Sequence, residues 1–282
     1  MIRIHSKFFQ RMPSFSLLWK HTVAIRLFVM VLATGIVATL WHPHWWVWTS
    51  GLVFASHVIL TIAGLWPRSK VLGPNMDRLP AFSIQHREVA ITIDDGPDPQ
   101  VTPQVLDILD RYQGKATFFC IGRLAAKYPE LCRDIVRRGH SIENHSQHHY
   151  TFFSLFGPMR IYREIRDAQK TLGEITGRTP RFFRPTAGLR NPFLQPVLAH
   201  LGLHLASWTR RGFDTREKDP DIVLSRLTHN LAAGDILLLH DGNAARTLTG
   251  QPVILEVLPR LLDEFVAREF QTVTLQSTCA QT

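Results

Sequence analysis

Cysteine is scarce in this 282-residue chain. Cys120, Cys132 and Cys279 are too few and too scattered for a disulfide framework, which excludes the small cross-linked scaffolds and leaves the compartment open. Acid is scarcer still at the N-terminal end: residues 1–87 hold nine Lys/Arg and one carboxylate, Asp77. Internal repeats and low-complexity tracts are absent, and a composition 45% apolar and 20% charged is not that of a disordered or collagen-like chain. The net charge of +9 belongs almost wholly to that first segment, because residues 88–282 hold 23 bases against 22 acids. The body therefore has no basic groove for phosphates, and no nucleic-acid partner is expected.

Two stretches lack charge altogether. Leu27 to Trp41 is uncharged and mostly apolar, and Val23–Arg26 lengthens it; Trp45 to Trp66 follows after His42-Pro43-His44. About 20 apolar residues cross a hydrocarbon core, so residues 23–41 and 45–66 are expected to form a transmembrane helical hairpin. Trp41, Trp45, Trp46 and Trp48 gather at one end and Trp66 at the other, as interfacial belts do. A cleaved signal peptide fits less well, since a long basic preamble precedes the run and no small-x-small site follows; a pair of core helices is the bland alternative. Arg3, Lys7, Arg11, Lys20 and Arg26 precede the first span, Arg68, Lys70 and Arg78 follow the second, and the link has no Lys or Arg. The positive-inside rule then gives a multi-pass protein of the inner (cytoplasmic) membrane with a cytoplasmic body; a single span would place the body in the periplasm. Residues 1–22 are read as a basic N-terminal segment, 67–87 as a linker and 88–282 as the catalytic domain.

Beyond the linker, β-rich runs alternate with helical patterns. Strands are expected at Val89–Asp94, Ala116–Ile121, His140–Asn144, Arg181–Arg184, His204–Trp208, Ile236–His240 and Thr272–Leu275. One helix opens at Thr102-Pro103, a cap followed by proline, and others run near Leu124–Arg138, Pro158–Thr176, Pro192–His200, Pro220–Ala232 and Pro252–Glu269. Seven strands alternating with helices indicate a parallel α/β architecture, barrel or open sheet, in which functional side chains collect at the C-terminal ends of strands.

Polar outliers occur at those ends: Asp94-Asp95-Gly96-Pro97, Asn144-His145-Ser146-Gln147-His148-His149, Arg184-Pro185-Thr186-Ala187-Gly188, Arg210 to Asp214, and His240-Asp241-Gly242. Two histidines at i and i+4, here His145 and His149 on an expected helical turn, together with a carboxylate from another strand, suit zinc or a similar divalent ion. Paired carboxylates allow one to bind metal while the other stays free as a base. Each signal alone has a bland reading, a solvated His-rich loop or an Asp-Asp-Gly turn; their meeting on one rim points to a site.

Across residues about 86–276 the chain resembles the polysaccharide deacetylase family, carbohydrate esterase family four. Thr92-Ile93-Asp94-Asp95-Gly96-Pro97 is similar to its T-F-D-D-G-P motif and His145-Ser146-Gln147-His148-His149 to H-[ST]-x-x-H. Arg184-Pro185-Thr186-Ala187-Gly188 resembles R-P-P-x-G, Trp208 with Asp214 the fourth motif, and Leu238-Leu239-His240 L-x-H. The resemblance implies a distorted (β/α)7 barrel and a hydrolase that removes an N-acetyl or N-formyl group from an amino sugar. It implies a divalent metal, Zn2+ first and Co2+, Ni2+ or Mn2+ as alternatives, held by Asp95, His145 and His149. Asp94 would be the general base paired with Arg184, and His240 the general acid oriented and kept cationic by Asp214. The Ala187 backbone N–H would stabilise the oxyanion, Leu238 would line the pocket for the acyl methyl, and Trp208 would belong to the substrate site.

Ile93, Thr186 and Ala187 depart from the family pattern without removing a proposed chemical group. His148 could support the ligand His149, substitute for it or face solvent; Glu143 is expected to face solvent or a neighbouring helix. The loop Tyr150–Pro158, with Phe152, Phe153, Leu155 and Phe156, either covers one end of the barrel or meets the bilayer. With the hairpin, the expected partners are the bilayer and a membrane-proximal N-acylated amino sugar, a glycan or lipid-linked precursor. The alternatives are a periplasmic deacetylase of peptidoglycan or exopolysaccharide, and an inactive sugar-binding envelope scaffold.

Overall fold

The computed structural model describes residues 22–279; the cluster Arg3, Lys7, Arg11 and Lys20 lies outside the described residues. Helices Val23–Trp41 (α1) and Trp46–Leu65 (α2) run antiparallel, joined by the tight turn Pro43–Trp45. The Thr39 and Thr49 hydroxyls meet at 2.8 Å, and the Phe28 and His57 rings lie 4.7 Å apart. Both helices are long and apolar enough to cross a membrane, and little of either is buried inside the protein.

The chain then passes through Ala81–Gln85 (α3), Glu88–Asp94 (β1), Thr102–Arg111 (α4), Ala116–Cys120 (β2), Gly122–Lys127 (α5), Pro129–Arg137 (α6), Ser141–Asn144 (β3) and Pro158–Thr176 (α7). It continues with Phe182–Phe183 (β4), Leu194–Leu201 (α8), His204–Leu205 (β5), Arg210–Arg211 (β6), Pro220–Thr228 (α9), Ile236–His240 (β7), Val253–Ala267 (α10), Gln271–Thr272 (β8) and Leu275–Cys279 (α11). All strand pairs are parallel, in the order β5-β4-β3-β2-β1-β7-β6, with β8 on the lower end of β1. The sheet curls into a half-barrel; Met76 bridges to Ala206 beyond β5.

Strand periodicity sorts the residues between two faces. Val89, Ile91, Ile93, Phe118, Cys120, Leu237 and Leu239 pack outward against the helices. Ala90, Phe119, Phe182, Trp208, Ile236 and Leu238 fill the inside. The same alternation turns Asp94 and His240 inward at the strand tips.

Several boundaries differ from expectation for identifiable reasons. The helical pattern 124–138 is two helices, since Pro129 lacks an N–H and restricts the residue before it. Arg210–Arg211 adds an eighth strand too short to show a period, and Leu275 starts α11 instead of ending a strand. Thr102 does not cap α4: Asp98 accepts from the Gln100 and Val101 amides, while the Thr102 hydroxyl donates to Asp241. Residues expected as a linker lie along the body, with the Met76 amide on the Leu205 carbonyl and the Leu79 amide on that of Gly234, at 2.9 and 2.8 Å.

Candidate active site

β1 and β7 are neighbours in register, Asp94 opposite His240, so the base and acid candidates sit side by side at the rim. Asp95, one residue past the strand, adopts φ 74°, a conformation Asp tolerates better than most residues. That turn brings its carboxylate to 3.2 Å from His145 Nε2 and 3.1 Å from His149 Nε2.

The two histidines do not share a helical turn as expected. Ser146 and His149 both have positive φ, and the segment is an irregular loop. It is held by its own polar side chains. The Asn144 carbonyl oxygen Oδ1 accepts from the Ser146 amide at 2.9 Å, and Ser146 Oγ from the His149 amide at 3.0 Å. Glu164 of α7 accepts from the His148 amide at 3.0 Å and pairs with its ring at 2.9 Å. His148 is thus turned to α7 and half exposed, away from the ligand positions.

His145 Nδ1 donates to the Arg184 carbonyl at 2.7 Å, which fixes the ring with Nε2 aimed at Asp95. Burial and the neighbouring His145 lower the His149 pKa to about 4, so that imidazole is neutral and ready to coordinate. Burial would raise the Asp95 carboxyl, but the hydrogen bond and charge of His145 outweigh it and hold the group below the usual carboxylate range. One donor atom from each of Asp95, His145 and His149 lies within 4.8 Å of the others. A carboxylate and two imidazole nitrogens converging this closely are a fitting donor set for a divalent cation.

Two ion pairs flank this triad. Arg184 is fully buried; its Nη1 donates to Asp94 Oδ1 at 2.7 Å and to Thr92 Oγ1 at 2.9 Å, and Nε and Nη2 bind the carbonyls of Ala206 and Ser207. Its guanidinium carbon lies 4.0 Å from the Phe119 ring centre and 5.6 Å from that of Trp208. On the other side, buried Asp214 accepts from the His240 amide at 2.7 Å and pairs with His240 Nδ1 at 2.9 Å. Burial alone would push the His240 pKa down; the charge and hydrogen bond of Asp214, with Asp94 and Asp95, reverse this and raise it to about 9.

The structure brings Asp94, Asp95, His145, His149, Arg184, Asp214 and His240 together. Ala187 is exposed on the adjoining turn Thr186–Gly188 at φ 55°; the turn closes through the Gly188 and Leu189 amides, and the Ala187 N–H takes no part in those bonds. Leu238 and Trp208 lie in the inner cluster beneath the site.

Glu143 requires a correction. It does not face solvent: it is wholly buried inside the barrel, accepting from the Arg181 and Phe182 amides at 2.8 Å each, with Gln276 of α11 beside it. Strand alternation from Ile142 could have shown this. Sequence reasoning missed Asn243, whose side-chain amide donates to Asp95 Oδ2 at 3.2 Å, and Glu164. Asn243 follows His240-Asp241-Gly242 directly, so its position at a strand end was a signal; Glu164 lies in an ordinary helix and gave none.

The chain is similar to several known proteins. The polysaccharide deacetylase family profile matches residues 84–206. A peptidoglycan-N-acetylglucosamine deacetylase of Bacillus cereus is 33% identical over 189 residues, covering 66% of this chain and 85% of that protein. A chitooligosaccharide deacetylase of Azorhizobium caulinodans is 37% identical over 155 residues, 55% of this chain and 73% of that protein. Among solved structures, a peptidoglycan N-acetylglucosamine deacetylase superposes with TM-score 0.64 at 26% identity, covering 72% of this chain and 92% of that one.

Proposed function

Since the chain belongs to the polysaccharide deacetylase family, carbohydrate esterase family four, and is a hydrolase of amide bonds, we infer that it removes an N-acetyl or N-formyl group from a membrane-proximal amino sugar. The observation that carries this reading is the meeting of Asp95, His145 and His149 within 4.8 Å, beside the charge-paired Asp94 and His240.

Asp95, His145 and His149 would hold a divalent cation, which when bound supplies Lewis acidity toward water and the acyl carbonyl. Asp94, held in place by its ion pair with Arg184, accepts the proton of the attacking water. The Ala187 N–H donates to the oxygen that becomes negative as the carbonyl carbon turns tetrahedral. His240, cationic through Asp214, delivers a proton to the departing nitrogen, without which an amide anion would have to leave. Acetate or formate and the free amine result.

The two apolar helices support an inner-membrane hairpin with a cytoplasmic catalytic domain, and with it a lipid-linked or otherwise membrane-borne precursor as substrate. The names of the Bacillus relatives favour a second reading, a peptidoglycan deacetylase facing the periplasm. Acetate release from an N-acetylated chito-oligosaccharide, abolished by chelator and restored by Zn2+, Co2+, Ni2+ or Mn2+, tests the activity. Chelator-resistant release would contradict the metal-dependent reading. A reporter at the C-terminus that is active only in the periplasm would replace the cytoplasmic reading with the peptidoglycan one.

A further inference from the structure

The exit of the helical hairpin is in direct contact with the rim that carries the active-site loops. The Arg190 amide donates to the Gly64 carbonyl at 3.1 Å, and the Arg190 guanidinium, almost fully buried, donates to the Ser69 carbonyl. A Cβ on Gly64 would fall 2.3 Å from the Arg190 carbonyl oxygen, so this approach requires glycine. A Cβ on Gly188 would lie 2.6 Å from Trp208 Cη2 and 2.8 Å from Pro67 Cβ. The turn bearing Ala187 is therefore held between Trp208 and the residues that leave α2. Asn191, the next residue after Arg190, donates to the carbonyls of Ser154 and Phe156 at 2.9 and 2.8 Å and so ties the β3–α7 loop to the same place.

This contact sets a depth. Gly64 is the penultimate residue of α2, whose apolar run ends in Leu65 and Trp66. Residues 188–191 thus stand level with the end of that run. Around them, apolar side chains have no cover: Leu155 is 82% exposed, Phe152 50% and Phe193 43%. Their neighbours Phe153 and Phe156 are buried, so the loop divides into a core-facing half and a bare half. Arg68 follows the exit, and Arg160 lies over the Phe156 ring at 3.8 Å, which places cations where anionic headgroups would be.

We propose that this rim is a bilayer-contacting surface, in which Phe152, Leu155 and Phe193 enter the interface beside the exit of α2 and the active-site mouth opens at the membrane surface. The inference rests on reading α1 and α2 as membrane spans. Apolar groups presented in this way sit about 5–10 Å into the boundary between headgroups and acyl chains. A sugar carried on a lipid would then reach the site without leaving the membrane plane.

The test uses the full chain in phosphatidylethanolamine/phosphatidylglycerol vesicles. Cys279→Ser removes the partly exposed thiol, and a fluorophore is attached in turn at Leu155→Cys, Phe193→Cys, Ile59→Cys on α2, or Val266→Cys. Val266 is 67% exposed and apolar as well, but it stands at the far end of α10, next to the start of β1. Each variant must keep the thermal transition of the unlabelled chain. Quenchers are lipids with nitroxides high or low on the acyl chain, and aqueous iodide. Labels at 155 and 193 should be quenched by the high nitroxide, that at 59 by the low one, and that at 266 by iodide alone. Quenching at 59 with only iodide reaching both 155 and 193 would overturn this inference and leave the spans standing. Absence of lipid quenching at 59 would overturn the spans themselves, and the inference with them.

Discussion

At the rim of the barrel, Asp94 is matched by the Arg184 guanidinium at 2.7 Å; inside it, two strands away on the same inner face, Glu143 is met by two backbone amides at 2.8 Å each. Both carboxyls are buried. Around Asp94 the surroundings are ionic: Arg184, His145 and His240 are all within its electrostatic reach. Around Glu143, against the start of β4 and α11, burial dominates and pushes the pKa up to about 8 despite the amide hydrogen bonds. The first arrangement sets a carboxylate in an ion pair at the mouth of the site, and the second keeps a proton on the carboxyl while its Oε2 accepts the two amides that pin β3 to β4. The contrast separates chemistry from scaffolding within one interior.

The strongest way to break the contrast is at the cation site. Asp95→Ala, His145→Ala and His149→Ala should each lose bound metal and turnover together, measured by elemental analysis beside acetate release. Next, Asp94→Asn should retain metal yet lower turnover by about 10²–10⁴-fold, the range of a lost general base. Unchanged turnover would show that the rim carboxylate is as structural as Glu143.

His240 sharpens the comparison through pH. Its folded pKa is raised to about 9, so the Asp214–His240 interaction stabilises the protein fully below the ordinary histidine pKa and is lost as pH rises through 9. The alkaline limb of the turnover profile should lie near that value, and Asp214→Asn should move it downward while lowering turnover. A limb unmoved by Asp214→Asn would remove Asp214 from the acid's control.

The smallest effect is expected from Glu143→Gln, which should leave neutral-pH turnover near that of the wild type. Because the folded pKa of Glu143 lies above its unfolded value, its contribution to stability is complete below the unfolded pKa and fades as pH rises through about 8. The Gln variant should therefore gain in Tm relative to wild type on passing from pH 5 to pH 9. A Tm difference that does not change with pH would mean that Glu143 is ionised in the fold.

Much of this was legible in the residues. The apolar runs of α1 and α2 stand out by their length and their absence of charge, both readable by eye. Asp94, Asp95, His145, His149 and His240 stand out because polar groups at strand tips interrupt β-rich runs. What remained hidden depends on tertiary contacts. Arg210–Arg211 becomes a strand only because β7 is beside it. The i, i+4 histidines meet through a loop with two left-handed residues, held by Asn144, Ser146 and Glu164, and spacing carries no such information. The contact of Gly64 with Arg190 joins residues far apart in the chain, and neither is unusual in its own neighbourhood.

The measurement that bears most directly on the account is metal content beside acetate release from an N-acetylated chito-oligosaccharide, made on the same full-length preparation before and after chelation. The account predicts one divalent ion per chain, loss of acetate release on its removal, and recovery of both on adding Zn2+ to the wild type but not to Asp95→Ala. Acetate release that persists in the metal-free protein, or an Asp95→Ala variant that binds metal and turns over normally, would contradict it.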